Sequence, residues 1–183
     1  METVEGKNIK DLFEKIIGIY TDTSRLLVDA EALMKERGFE NIGSGNSIST
    51  EQSKVKTNVH LWVTPYAVMY FAEEESATSP IYGLGVFFMG PADMKKPIEP
   101  LVIFGCLNLK IDEEGSRKRP LPWYLKEAWF SMTENREIGK LHKVSEKFEI
   151  KNGVIQALHI EDISDFDSLQ SKIIEPLLEM SID

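Results

Sequence analysis

Three groups of residues in this chain carry types that can do chemistry. The first is Glu146 with His159, at the two ends of a segment whose centre reads FEIKNGVIQALHI. Asn152-Gly153 divides that segment into two alternating runs, and Asn-Gly is the strongest short hairpin signal, a type I′ turn. Such a turn sets Ile150 opposite Ile155, Phe148 opposite Ala157 and Glu146 opposite His159. A carboxylate beside an imidazole raises its pKa and fixes its tautomer, so the pair is a candidate acid–base couple. Its plainer meaning is a polar pair at the rim of a sheet.

The second group is Asp162, Asp165 and Asp167, the densest carboxylates in the chain. Three such groups can hold a hard cation such as Mg²⁺ or Ca²⁺. Acids at that place also suit the start of a helix, where they cap free N–H groups and complement the dipole.

The third is RKRPLPWYLKEAWF, which opens on Arg117, Lys118 and Arg119 and continues with Trp123, Tyr124, Trp129 and Phe130. The cations read as an anion-binding site. They also follow Asp112, Glu113 and Glu114 across Gly115-Ser116, so the loop neutralises itself, and exposed pairs of this kind contribute less than about 1 kcal/mol each. Trp123, Tyr124 and Trp129 resemble the aromatic anchors of interfaces. A short helix from Pro122 carries Leu121, Leu125, Ala128, Trp129 and Met132 on one stripe. Lys126, Glu127 and Ser131 are its polar positions, so its aromatics belong equally to a core.

Other chemistries are absent as patterns. Gly83-Leu84-Gly85 lacks the third glycine of a dinucleotide fingerprint, because Phe88 stands there, and no Walker lysine follows Gly43-Ser44-Gly45. His60, His142 and His159 have no zinc-site spacing. There is no G-x-S-x-G elbow. Glu149-Ile150-Lys151 spells the E-x-K of some nucleases but also fits any strand edge with alternating charge. Cys106, the one cysteine, lies inside the apolar run LVIFGCLNL, where a thiolate is disfavoured.

The elements that must position these groups follow from periodicity. Ile9, Leu12, Phe13, Ile16, Ile17 and Tyr20, then Leu27, Ala30 and Met34, mark a helix from 9 to 37, with Asn8 as N-cap and Gly38 as stop. Unbroken, it spans about 44 Å. Gly18 and Thr21-Asp22-Thr23-Ser24 weaken its middle, so a kink or two helices are alternatives. A helix this long outreaches a small domain and needs a partner along its length, its own sheet or a second copy. Residues 41–54 read as a loop. Strands follow at 55–63, 66–72, 82–89 and 101–111. In the last, Leu101, Ile103, Leu107, Leu109 and Ile111 share one face, while the other runs from Val102, Phe104 and Cys106 to the wetter Asn108 and Lys110. A C-terminal helix starts at Ser164 or Asp165, carries Phe166, Leu169, Ile173 and Leu177, and is kinked or split by Pro176.

With no βαβ alternation, the expected fold is α+β, an antiparallel sheet of about five or six strands. A long N-terminal helix, a short aromatic helix and a C-terminal helix pack mainly on one face. The 183 residues form one globular domain. The polar N-terminus and lone cysteine indicate the cytoplasm, and no apolar run approaches the roughly 20 residues of a membrane helix. Net charge is -9, and residues 161–183 hold seven acids against one base, six of that excess. This argues against nucleic acid and can attract a basic partner.

The expected function is a non-enzymatic binding or assembly protein without cofactor. It binds a protein partner or itself as a homo-oligomer, and neither nucleic acid nor membrane. Its sharpest form is an acidic inhibitor or adaptor of a basic protein. The alternative is a small-molecule sensor or enzyme with a pocket between sheet and helices. The third is a carboxylate–metal hydrolase using Asp162 or Asp165.

Overall fold

The computed structural model describes residues 6–43, 48–50, 64–73, 80–89, 97–110, 122–131, 137–146 and 149–182. In chain order the elements are α1 (Gly6–Glu36), β1 (Phe39–Asn41), β2 (Ser49–Thr50), β3 (Tyr66–Glu73), β4 (Ile81–Met89), β5 (Pro97–Leu109), α2 (Pro122–Ser131), β6 (His142–Val144) and β7 (Ile150–His159). A 3₁₀ turn at Ile160–Asp162 leads to α3 (Phe166–Leu169), a π turn at Gln170–Ile174, and α4 (Glu175–Glu179).

The sheet is antiparallel throughout, in the order β1-β3-β4-β5-β7-β6, with β2 also paired to β3. The α+β class follows. Part of the segment read as a loop at 41–54 is strand, since Asn41 closes β1 and Ser49 pairs with Val68. The strand expected at 55–63 lies outside the described residues.

Helix α1 is one helix of 31 residues, about 46 Å long. Its middle is helical without a break, and there Thr21 and Thr23 donate their hydroxyls to the carbonyls of Ile17 and Ile19, both at 2.8 Å. Gly38 ends the helix in the left-handed region (φ 87°), its N–H 3.0 Å from the Lys35 carbonyl.

Alternation along β5 sorts the core. Leu101, Ile103, Leu107 and Leu109 join one apolar cluster, and Val102, Phe104 and Cys106 join the other. The second half of α1, through Leu27, Ala30, Leu33 and Met34, covers the Val102 face together with Leu169, Ile173 and Leu177 from the C-terminal helices. Among the described residues α2 is the helix on the opposite face, burying Tyr124, Leu125, Ala128 and Trp129 against Tyr70, Ile103 and Leu107. The N-terminal and C-terminal helices thus share a face.

Helix α2 sits over a hollow in the sheet. Gly83 and Gly105 are cross-strand partners. A Cβ on Gly83 would stand 3.1 Å from the Tyr70 ring and 3.4 Å from Leu125, and one on Gly105 would stand 2.4 Å from the Val154 carbonyl oxygen. Gly83 therefore belongs to helix-on-sheet packing, whereas a Cβ on Gly85 would stand 2.8 Å from the Ala67 carbonyl oxygen of the neighbouring strand. Tyr70 completes the seat, because its hydroxyl accepts the Leu125 N–H at 2.9 Å. That N–H lies in the first turn of α2.

The Asn152-Gly153 turn is overturned. Both residues lie inside β7, with Asn152 opposite Asn108 and Gly153 opposite Leu107. A Cβ at Gly153 would stand 2.6 Å from Leu107 Cδ2 and 2.8 Å from the Cys106 carbonyl oxygen, so the glycine serves close approach rather than a turn. Asn108 donates its side-chain amide to Asn152 Oδ1 at 2.9 Å across the strands. A β6–β7 hairpin does form, but Val144 opposes Gly153, so the chain reverses between Val144 and Ile150. Glu149, at φ 70°, marks the reversal. The expected pairings Ile150–Ile155 and Glu146–His159 fall with it, and Phe148, expected opposite Ala157, lies outside the described residues.

At the C-terminus Asp165 is the N-cap, within a reciprocal capping box with Ser168. Pro176 stands second in α4, which a π turn separates from α3. The preceding turn widens to a π turn, with the Glu175 N–H bonded to the Gln170 carbonyl five residues back. That widening accommodates a ring that would otherwise press on the carbonyl four residues earlier.

Candidate functional site

Among the described residues, the first half of α1 departs from a closed core. Every side chain from Lys10 to Ile19 is exposed, including Leu12, Phe13, Ile16, Ile17 and Ile19 at 36% to 62%. Contact with the sheet begins at Tyr20. Its hydroxyl donates to the Thr64 carbonyl at 3.3 Å, and its ring meets Phe88 edge-on at 5.7 Å. Residues 6–19 thus overhang the sheet by about 21 Å.

The overhang is apolar on one side. Ile16, Thr23, Leu27, Ala30 and Met34 recur at steps of seven, four, three and four, so they share a face. From Thr23 onward that face is buried against the sheet. Before Tyr20 the same face continues with nothing described beneath it. Scattered exposed apolar residues are ordinary on protein surfaces, but a contiguous stripe of five is the mark of a contact surface.

A second surface is acidic. Glu161, Asp162, Asp165, Asp167, Glu175 and Glu179 are all exposed. Asp165 is already engaged, accepting the Ser168 N–H at 2.8 Å and the Ser164 hydroxyl at 2.9 Å. These bonds, the Ser168 N–H first, hold its carboxyl below the ordinary 3.8. Asp162 offers its backbone carbonyl to Lys172 Nζ at 2.7 Å. Among the described residues no three His, Cys, Asp or Glu side chains gather as metal ligands. A cleft of about 340 Å³ opens between α1 and this region, lined by Asp22, Arg25, Leu26, Ile160, Asp165 and Phe166.

Glu146 and His159 are not neighbours. Glu146 forms an ion pair with Lys110, which raises the lysine pKa and lowers that of the glutamate through their shared hydrogen bond. His159 pairs with Leu101 at the far end of β5, its Nδ1 3.7 Å from Glu99. Nine residues of strand separate the two places, roughly 30 Å. The acid–base couple drawn from the hairpin register does not assemble, because the register itself is different.

Tyr124 and Trp129 are interior, at 0% and 3% exposure, so both are core rather than partner anchors. Arg117, Lys118 and Arg119 lie outside the described residues, as does the side chain of Trp123. Lys126, taken from its charge for a polar position, is 4% exposed, its Nζ 3.7 Å from Glu127. Cys106 is buried, and burial pushes its thiol up to about 11.

The exposed stripe was readable as helix periodicity. What pattern alone did not supply was where the sheet stops beneath the helix. No helix among the described residues is long and apolar enough to cross a membrane. Compared with protein-family models, curated proteins and solved structures, the chain matches none.

Proposed function

We propose that this chain is a cytoplasmic protein-binding and assembly module rather than an enzyme, and that it docks through the uncovered first half of α1. One observation carries the reading: the stripe of Leu12, Phe13, Ile16 and Ile17 continues a buried face past the edge of its own sheet. Helix-in-groove and helix-on-helix recognition use anchors at this spacing. The test is a photo-cross-linking residue at Ile17 in the full chain, in its native cells, with the same residue at exposed Glu36 as control. Covalent protein adducts at 17 and not at 36 are expected. Their absence at 17 removes the reading.

A second reading has its own support. The acids between Glu161 and Glu179 form an exposed face that suits a basic partner, the inhibitor or adaptor form of the same role. Binding there is electrostatic and yields to salt, whereas docking on α1 is apolar and does not.

A further inference from the structure

We infer that the occupant of the α1 stripe is a second copy of this chain, paired about a two-fold axis with overhang against overhang. The inference rests on the docking role proposed above and names its partner.

Charge selects among occupants. The molecule carries -9, and two such bodies repel wherever their acidic faces meet. The stretch from Lys10 to Arg25 is the exception, since Lys10, Lys15 and Arg25 stand against Asp11, Glu14 and Asp22. Two of these pairs already meet within the helix, Lys10 with Glu14 at 3.5 Å and Arg25 with Asp22 at 3.5 Å. The stretch from Lys10 to Arg25 is therefore neutral in an acidic chain. It presents no field to attract a basic protein or a nucleic acid, and none to repel its own copy.

Shape agrees. A two-fold interface is isologous, so one patch must serve as both surfaces. A helix bearing an apolar stripe flanked by both signs of charge is its own complement. The stripe projects beyond the described part of the sheet, and its side chains from Leu12 to Ile19 are exposed. In the pair, Leu12, Phe13, Ile16 and Ile17 of one copy cover the same residues of the other and extend each core past its own sheet.

The experiment is solution mass of the full chain by sedimentation, from low micromolar to several hundred micromolar. Three variants at exposed α1 positions accompany it. The wild type is expected to rise with concentration from 20.8 kDa toward twice that mass. The double variant Phe13→Glu with Ile17→Glu stays monomeric, with unchanged circular dichroism and melting temperature. Ile16→Glu alone weakens association at least tenfold. Ala32→Glu, at an exposed position on the opposite side of α1, associates like the wild type. A wild type that is monomeric throughout, or a double variant that still associates, overturns self-pairing. Cross-links from Ile17 only to a different protein also overturn it while leaving the docking role standing. No cross-link at all removes both.

Discussion

At the scale of single residues the tightest constraint is at glycines that hold strands close. Gly105 faces Ile155, and an added Cβ would stand 2.4 Å from the Val154 carbonyl oxygen and 2.9 Å from the Ile155 Cα. Those are backbone atoms in a central pair of the sheet, so relief requires the strands to part. Gly105→Ala should cost about 2–3 kcal/mol, in the range of overpacked cores, read as a lower urea midpoint with an unchanged slope. Asp165 acts through its charge. Its folded-state pKa lies below the ordinary 3.8 because the Ser168 N–H and its neighbours favour the carboxylate. A depressed acid contributes stability that is present above the unfolded pKa and lost as pH falls through the folded one. Asp165→Ala should therefore lower the melting temperature at pH 7, and the gap to wild type should narrow once pH drops below about 4. A gap that stays constant to pH 2 would mean the carboxylate charge plays no part.

At the scale of elements, α1 carries a defect that nothing in the fold requires. Gly18 lies mid-helix with no atom within 4 Å of the position its Cβ would take. Gly18→Ala should raise stability by about 0.5–1 kcal/mol through helix propensity, seen as a higher melting temperature. The same element shows what periodicity reveals. The stripe from Leu12 to Met34 was legible, as were the two faces of β5 and the N-cap choice between Ser164 and Asp165. The continuity of α1 was not, because the propensities of Gly18 and of Thr21 to Ser24 fit a broken helix as well as an unbroken one. Asn152-Gly153 misled for a related reason. Its letters favour a turn locally, but Gly153 is where Leu107 needs room and Asn152 is where Asn108 needs a partner. Cross-strand demands of that kind involve residues over 40 positions apart and leave no local trace. The acid–base pair of Glu146 and His159 depended on that turn, so one local misreading displaced the whole candidate couple. The aromatic stretch at α2 was ambiguous between core and interface until a sheet face with a glycine hollow was in place to receive Tyr124 and Trp129.

At the scale of the molecule, two surfaces of opposite character compete to define what this chain meets. The acidic face spans Glu161 to Glu179 and the neutral apolar one spans Lys10 to Ile19. Ionic strength separates them, because the screening length contracts from about 10 Å at 0.1 M salt to about 3 Å at 1 M. Contact through the α1 stripe buries carbon and sets no net charge against another. Its association constant should change by less than about threefold over that range and strengthen slightly in sulfate, which favours apolar burial. Contact through the acidic face joins opposite charges across solvent. Binding of a basic probe such as polylysine there should weaken steeply with added salt, and charge reversal at Asp162, Asp167 and Glu175 should reduce it further while leaving self-association unmoved. Sedimentation and polylysine titration on the same preparation, in matched salt series, read both surfaces at once. Self-association that collapses with salt would place the contact on the charged face and end the assignment to α1.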